Sequence, residues 1–454
     1  MWTRLPWMKS RAGLFGLAIA DALVLGLIYN IRYHAISNRW VGLTGSITMA
    51  IMGWLSISYL VGRYSNKAQS KEKTALKILG YTILAAGILL ITTVLAGWIF
   101  NNDDLRIERS FLFPVVLTTS LVSATLQIIL RRCKEITSKW LLIGTQAEID
   151  VISHELLISN GANSLEVQFL VDSATTEELL NTLPNHYGLG ISDSARLPDR
   201  AIETLLTKRS KGSEIQDLVS WAEQNLQRVP PEIFTPRWLV QADGFRLQPN
   251  RTSWRLKRLG DLAIGILLIV ISSPIIVIAA IAIRLNDGGP VFYRQIRTGL
   301  YGKSFLIRKL RTMRVDAESS GAQWSHRKDE RITSIGQWLR RTRVDELPQL
   351  FNVISGEMSL IGPRPERPVI EEELEELIPH YRIRHWIRPG LSGWAQVCYN
   401  YGASITDSRA KLSYDLYYLR NANILLDMLI LIKTIRLIAL AKGSTPASLH
   451  RSTA

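Results

Sequence analysis

With 454 residues, the chain has room for two or three domains. A net charge of +15 suits anionic lipid or a phosphorylated substrate; because the basic residues sit beside apolar spans, nucleic acid is not expected as a partner. Cys133 and Cys398 are the only cysteines, which excludes a disulfide framework.

Four apolar segments precede residue 131, at roughly 13–31, 41–61, 78–100 and 110–130, each about long enough for a spanning helix. The first lacks a small-residue cleavage site and reads as a retained anchor. Basic residues flank alternate loops: Arg4, Lys9 and Arg11 first, then Arg63, Lys67, Lys71, Lys73 and Lys77, then Arg131, Arg132, Lys134 and Lys139. Asp103, Asp104 and Glu108 offset Arg106 and Arg109 in the loop between the third and fourth spans, and Arg32 and Arg39 run against the trend. The pattern predicts a multi-pass membrane protein whose N-terminus, and everything after residue 131, is cytoplasmic.

Residues from Trp140 to about Asn225 read as α/β. The run 140–144 predicts a buried strand and turn, and 167–171 a second strand ending at Asp172. Helices are predicted at 177–183 and 215–226. This is a Rossmann-like pattern, but Gly144 is followed by Thr145, Gln146 and Ala147, so the glycines that let backbone approach a pyrophosphate are missing. Packing or assembly is the remaining use of such a domain, and a homodimer is expected. Pro230, Pro231 and Pro236 punctuate a linker.

A fifth apolar stretch, 262–283, carries Lys257 and Arg258 before it and Arg284, Arg294, Arg297 and Lys303 after it. Basic residues on both flanks place both ends in the cytoplasm, which predicts a re-entrant helix broken at Ser273-Pro274. Downstream, Pro348 fits only the first turn of a helix, so Asp345 is expected near an N-cap with the helix running to about Val353. Adjacent carboxylates Asp345 and Glu346 repel unless they share a cation; oxygen ligands beside a phosphate suit Mg²⁺, with one carboxylate attacking phosphorus while the other holds the metal. Pro363 and Pro365 fix the backbone of Arg364, whose fork suits phosphate oxygens. Lys309 and Arg311, with Arg308, are further candidates for phosphate or for lipid headgroups. Trp394 is expected in the core, and His326, His380 and His385 at the surface, since their spacing fits no metal. The last apolar run, 424–441, holds Asp427, Lys433 and Arg436 and predicts an interfacial helix.

From about Lys257 to Ala441 the chain resembles the bacterial sugar transferases, the monotopic phosphoglycosyl transferases. The residues that carry the likeness are Lys257-Arg258 with Asp261, Ser273-Pro274, the run Lys309-Leu310-Arg311-Thr312-Met313 and Asp345-Glu346-Leu347-Pro348-Gln349. Further along are Met358-Ser359-Leu360-Ile361-Gly362-Pro363-Arg364-Pro365, Pro389-Gly390-Leu391-Ser392-Gly393-Trp394 and Tyr414-Asp415-Leu416-Tyr417-Tyr418. Leu310 stands where the family pattern has Phe. With four spans and an α/β domain in front, the whole chain is similar to the large members that begin exopolysaccharide or O-antigen repeat units.

The resemblance implies three parts: a four-span α-helical membrane region (1–135), a degenerate Rossmann-like cytoplasmic domain (136–235), and a mainly α monotopic catalytic domain with a re-entrant membrane helix (236–454). It implies transfer of a phosphosugar from a nucleoside diphosphate sugar, a UDP-hexose, to polyprenyl (undecaprenyl) phosphate, releasing nucleoside monophosphate. In that scheme Asp345 is the nucleophile, forming a phosphoglycosyl-aspartate. Glu346 assists as Mg²⁺ ligand, Arg364 binds phosphate, and Arg340 and Asp415 help. Two other readings are a membrane nucleotide-sugar dehydratase and a polysaccharide-assembly scaffold. The first needs a glycine-rich loop and a Tyr-x-x-x-Lys pair that the chain lacks; the intact Asp345, Glu346 and Arg364 argue against the second.

Overall fold

The computed structural model describes residues 6–9, 11–40, 42, 44–64, 71–99, 109–133, 138–158, 165–171, 176–245, 247, 251–317, 329–399 and 404–439. Asp172, His326 and the loop charges Asp103, Asp104, Arg106 and Glu108 lie outside them. The chain divides into two compact units, one holding residues 1–191, 195–216 and 224–226 and the other the remainder.

In the first unit, helices α1 (Ala12–Ser37), α2 (Gly45–Val61), α3 (Lys71–Ile99) and α4 (Arg109–Cys133) are apolar. Three of them contain stretches long and apolar enough to cross a membrane; α2, with 17 residues, is shorter. At 1.5 Å per residue α2 covers about 26 Å, slightly less than a hydrocarbon core. Leu25 and Tyr29 of α1 pack with Ile47 and Trp54 of α2, Ala85 and Leu89 of α3, and Phe111 and Val115 of α4.

A polar cluster pins the bundle where α2 ends. Arg63 Nη1 donates to Asp21 Oδ2 at 2.8 Å, and Tyr64 Oη donates to the same oxygen at 2.6 Å. Ser123 bonds both Asp21 and Arg63, and Gln127 Nε2 donates to the Arg63 carbonyl at 2.9 Å. Arg63, counted above among the basic residues between the second and third spans, is thus buried: it is 1% exposed. An isolated charge this deep is too costly in an apolar bundle, so a partner on another helix accompanies it.

The same unit holds a four-stranded sheet in the order β2-β1-β3-β4, in which β1 pairs in parallel with β2 and β3; β1 is Ser138–Gly144, β2 Leu165–Val171, β3 Gly188–Ile191 and β4 Ile215–Asp217. Helices α5 (Gln146–Ile158), α6 (Thr176–Thr182) and α7 (Asp199–Ser210) alternate with the strands. Leu141, Ile143, Leu170, Leu180, Leu189 and Leu205 form its core. Residues 215–217 are strand rather than the start of the predicted helix; α8 (Leu218–Leu226) follows, its N-cap Asp217 carboxylate accepting the Ser220 amide at 2.9 Å. Thr145 and Glu148 cap α5 reciprocally: Glu148 Oε2 accepts both the Thr145 amide and its hydroxyl, each at 2.9 Å. The start of α5, where a nucleotide-binding fold takes a phosphate, thus holds the chain's own carboxylate.

The second unit is built on α9 (Thr252–Asp287), a continuous 36-residue helix and the fourth segment long and apolar enough to cross a membrane. The helix is not interrupted at Ser273-Pro274, against expectation. Pro274 lacks the N–H that would bond the Val270 carbonyl, and the Ser273 hydroxyl supplies that bond instead, at 2.9 Å. Ile266, Leu267, Val270, Ile271, Val277 and Ile278 are exposed along it. After α9 come the antiparallel hairpin β5 (Phe292–Thr298) and β6 (Ser304–Leu310), helix α10 (Ser334–Thr342), a 3₁₀ turn (Val344–Gln349) and α11 (Leu350–Ser355). Strand β7 (Ser359–Ile361) pairs in parallel with β8 (Gly390–Ser392), and α12 (Pro368–Leu377), α13 (Ile405–Asn421) and α14 (Ile424–Ala439) complete the unit.

α14 turns two of its charges, Asp427 and Lys433, inward. Asp427 bonds Lys257 at 2.8 Å and Tyr418 at 2.6 Å, and Lys433 lies 4.4 Å over the ring of buried Trp394. Ile424, Leu425, Met428, Ile432, Ile435 and Ile438 are exposed. An outward apolar face suits lipid rather than water.

Candidate active site

The acidic pair is positioned by a change of helix. α10 ends at Arg343, which is left-handed (φ 60°, ψ 16°), and the 3₁₀ turn starts one residue later. Asp345 therefore lies in the first turn, two residues past the N-cap Arg343 and near an N-cap as expected, and the helical path runs on to Ser355. The Arg258 fork donates to the carbonyls of Val353 and Ile354, capping the last turn of α11 with positive charge. Neighbouring Asp261 accepts from Ser359 Oγ at 2.7 Å and from the Leu360 amide at 3.1 Å, joining α9 to β7.

Glu346 is ringed by cations. Its Oε1 lies 2.6 Å from Arg364 Nη2, 3.3 Å from Arg343 Nη1 and 3.8 Å from Lys309 Nζ. Burial opposes its ionisation, but Arg364, Arg343 and Lys309 together outweigh burial and hold the carboxyl well below the usual range. Asp345 behaves oppositely. Burial, then the charge of Glu346, push it up to about 6, against the pull of Lys309, Arg340 and Arg343. Its Oδ1 is buried with no hydrogen-bond partner. Glu232 Oε2 and Glu371 Oε2 are likewise buried without a hydrogen-bond partner among the described residues, but of these three only the Asp345 oxygen adjoins the cation-ringed Glu346, where a ligand can meet it. Burial lowers Lys309 to about 8, Glu346 opposing.

Arg364 is aimed by its backbone. The carbonyls of Pro363, Arg364 and Pro365 accept from the Gly390 amide (2.8 Å), Arg384 Nη2 (2.8 Å) and Arg297 Nη1 (3.1 Å). Gly362 and Gly390 let the two backbones meet, since a Cβ on either would strike the facing main chain.

Asp415 is not beside the acidic pair. It is 2% exposed and accepts from Arg384 Nη2 at 3.1 Å, and burial raises it to about 6. Arg384 also bonds Tyr381 Oη and lies 3.7 Å from Glu371. Asp415 thus acts on Arg364 through Arg384. Arg311 pairs with Asp287 at the end of α9, and its Nη1 is buried without a hydrogen-bond partner among the described residues. Arg340 donates through Nε to Thr312 Oγ1 at 2.9 Å and its charge bears on Asp345. Lys309, Arg343 and Arg364 are the cations brought to Glu346. His385 corrects the surface expectation: it is buried and 3.0 Å from Glu371 Oε1. Trp394 is fully buried, its Nε1 donating to the Gln227 carbonyl at 3.0 Å.

Sequence reasoning missed Arg343, Arg384, Arg297 and Glu371. A basic residue directly before Val344-Asp345 was a usable signal for the first; the others lie 20 to 50 residues from the acidic pair and carry no local mark.

Among the described residues no group of three or more His, Cys, Asp or Glu gathers for a metal. Asp345 Oδ1 has no partner, and Glu346 Oε2 has none among the described residues. Two carboxylate oxygens suit Mg²⁺, which takes its remaining ligands from water and substrate phosphate.

A sequence profile described as bacterial sugar transferase matches residues 252–441. The UDP-N-acetylgalactosamine-undecaprenyl-phosphate N-acetylgalactosaminephosphotransferase of Aeromonas hydrophila is 43% identical over 189 residues, which are 42% of this chain and 45% of that protein. The UDP-glucose:undecaprenyl-phosphate glucose-1-phosphate transferase of Escherichia coli is 37% identical over 184 residues, 40% of this chain and 39% of that protein. The protein of the same description from Caulobacter vibrioides is 38% identical over 181 residues, 39% of this chain and 68% of that protein. The chain therefore spans less than half the length of the first two relatives.

Proposed function

The chain belongs to the bacterial sugar transferase family, and from that premise we propose that it moves a phosphosugar from a nucleoside diphosphate sugar, a UDP-hexose, to polyprenyl phosphate. Asp345 attacks the phosphorus that bears the sugar. A bond forms between its carboxylate oxygen and phosphorus as the bond to the nucleoside monophosphate breaks. A phosphate oxygen of the lipid then attacks the same phosphorus, the aspartyl bond breaks, and polyprenyl diphosphate sugar leaves with Asp345 restored. The relatives' names carry the donor and acceptor classes; the unmatched, buried Oδ1 of Asp345 beside a cation-clasped Glu346 carries the mechanism.

The other side chains have distinct tasks. Arg364, its backbone held at three successive carbonyls, grips the donor diphosphate. Lys309 and Arg343 keep Glu346 ionised. Mg²⁺, held by Glu346 and Asp345, supplies charge neutralisation on the diphosphate when bound. Arg384 and Asp415 keep Arg364 in place.

We read the four-stranded sheet as Rossmann-like, supported by its strand order, and as a packing module of a homodimer. We read α9 as re-entrant by a bend at Pro274 that keeps the helical path unbroken, with the catalytic region at the cytoplasmic face of the plasma membrane, supported by basic flanks on both sides and by the missing Pro274 donor.

The test is a trapped intermediate. Enzyme incubated with sugar-labelled donor and no lipid, then quenched, yields the labelled phosphosugar on the peptide containing Asp345. Nucleoside monophosphate released only when lipid is present, with no adduct at high enzyme concentration, would replace this scheme with direct transfer.

A further inference from the structure

The β5–β6 hairpin has two unlike faces, because alternate residues of a strand point to opposite sides. On one face, Arg297 bonds the Pro365 carbonyl and Lys309 lies beside Glu346. The other face carries Phe292, Arg294 and Ile296 on β5, with Leu306 and Arg308 on β6. All five are exposed, Phe292 by 50% and Ile296 by 57%. The register sets Arg294 directly opposite Arg308 and Ile296 opposite Leu306.

Like charges at directly opposed positions, with Cβ atoms roughly 5 Å apart, destabilise a sheet. Among the described residues neither guanidinium has a carboxylate partner. One anion shared between the two forks removes the repulsion. Phe292, Ile296 and Leu306 flank the pair with apolar surface that water solvates poorly. The face is also continuous with the apolar helix: β5 begins four residues after Gly288, the cap of α9.

We propose that this face of the hairpin docks on the bilayer, with Phe292, Ile296 and Leu306 entering the headgroup layer and Arg294 and Arg308 sharing the phosphate of an anionic phospholipid. The hairpin is then a ruler: lipid contact on one face sets the height of Lys309 on the other. The inference goes beyond the proposed reaction and does not depend on it.

The full chain, with Cys133 and Cys398 replaced by Ser, is labelled with bimane at Ile296→Cys and reconstituted in phosphatidylcholine nanodiscs with or without phosphatidylglycerol and a lipid-borne nitroxide quencher. A label at Val277→Cys reports whether α9 itself is embedded. Quenching at 296 is expected to rise with phosphatidylglycerol and to fall with salt. Arg294→Gln and Arg308→Gln should each lower the docked-to-undocked ratio roughly fivefold, the factor equivalent to about 1 kcal/mol per basic residue at an anionic surface. Quenching at 277 without quenching at 296 overturns the proposal while leaving α9 in the membrane. Equal quenching at 296 with and without phosphatidylglycerol overturns the arginine pair as a headgroup site. If traces of undecaprenyl phosphate alone restore the effect in phosphatidylcholine, the face reads the acceptor lipid instead, and the proposal fails.

Discussion

Two buried acidic sites, one in each unit, treat their carboxylates differently. In the first, Asp21 is bonded through both oxygens, to Arg63, Tyr64 and Ser123, and Glu148 closes the cap of α5. In the second, Glu346 is clasped by three cations, while adjacent Asp345 keeps a buried oxygen with no partner. A completed network holds structure together. An incomplete one, whose missing partner can be a substrate atom, stores reactivity. Burial is similar at Asp21 and Asp345, so satisfaction of hydrogen-bonding capacity separates the two roles.

The hardest break in this contrast is Asp345→Asn. The amide keeps shape and burial but is not a nucleophile. Turnover, followed as nucleoside monophosphate release, should drop by roughly 10⁴-fold or more, with folding and membrane insertion retained. Substantial residual turnover would remove Asp345 from the nucleophile's role.

Asp21→Ala probes the closed network. It leaves Arg63 buried and unpaired, so stability should fall by about 3–5 kcal/mol. Turnover of the surviving folded protein should stay near wild type. Replacing both partners, Asp21→Leu with Arg63→Met, should recover most of the loss, because an apolar pair has no charge to desolvate. Denaturation in detergent, read alongside turnover, separates the two outcomes.

Arg384→Gln lies between these extremes. It removes the donor to the Arg364 carbonyl and the partner of Asp415, and misplacing Arg364 should cost on the order of 10²-fold in kcat/KM. Asp415→Asn should cost less, since Arg384 keeps Glu371 and Tyr381. Equal loss from both changes would mean that Asp415 touches substrate directly.

The smallest effect is a change in the shape of the pH profile. Asp345, raised to about 6, must be ionised to attack, so rate should climb with pH through that value. Lys309, lowered to about 8, loses its charge above that pH and ceases to hold Glu346, so rate should decline on the alkaline side. Lys309→Arg stays charged throughout, so the alkaline limb should vanish while the acid limb remains. An unchanged alkaline limb would assign it to another group.

Much of this was legible in the chain. Apolar runs marked α1, α3, α4 and α9, because burial in lipid demands some 20 consecutive apolar residues and leaves an unambiguous trace. The strands at 138–144 and 165–171 showed as short apolar runs. Asp345, Glu346 and Arg364 stood out because proline and adjacent carboxylates are locally odd. Residues 215–217 were misread because a three-residue strand is too short to show a period, and Gly188–Ile191 was not seen for the same reason. Arg311 was assigned to phosphate or headgroups by its charge and Asp415 as a helper by the family resemblance, and neither says which way a side chain turns.

What the sequence determined by itself was therefore local: which segments are apolar enough for a membrane, where helices and turns begin, and which residues have the chemistry for phosphate. The tertiary structure alone decided which of them meet. It turned Arg311 to Asp287 and placed Asp415 behind Arg384. It set Arg63 against Asp21, 42 positions away, and left one oxygen of Asp345 unpartnered. The reason is physical. Propensity and hydrophobic period act over neighbouring residues, whereas the cost of burying a charge is settled by whatever the fold brings within about 4 Å of it.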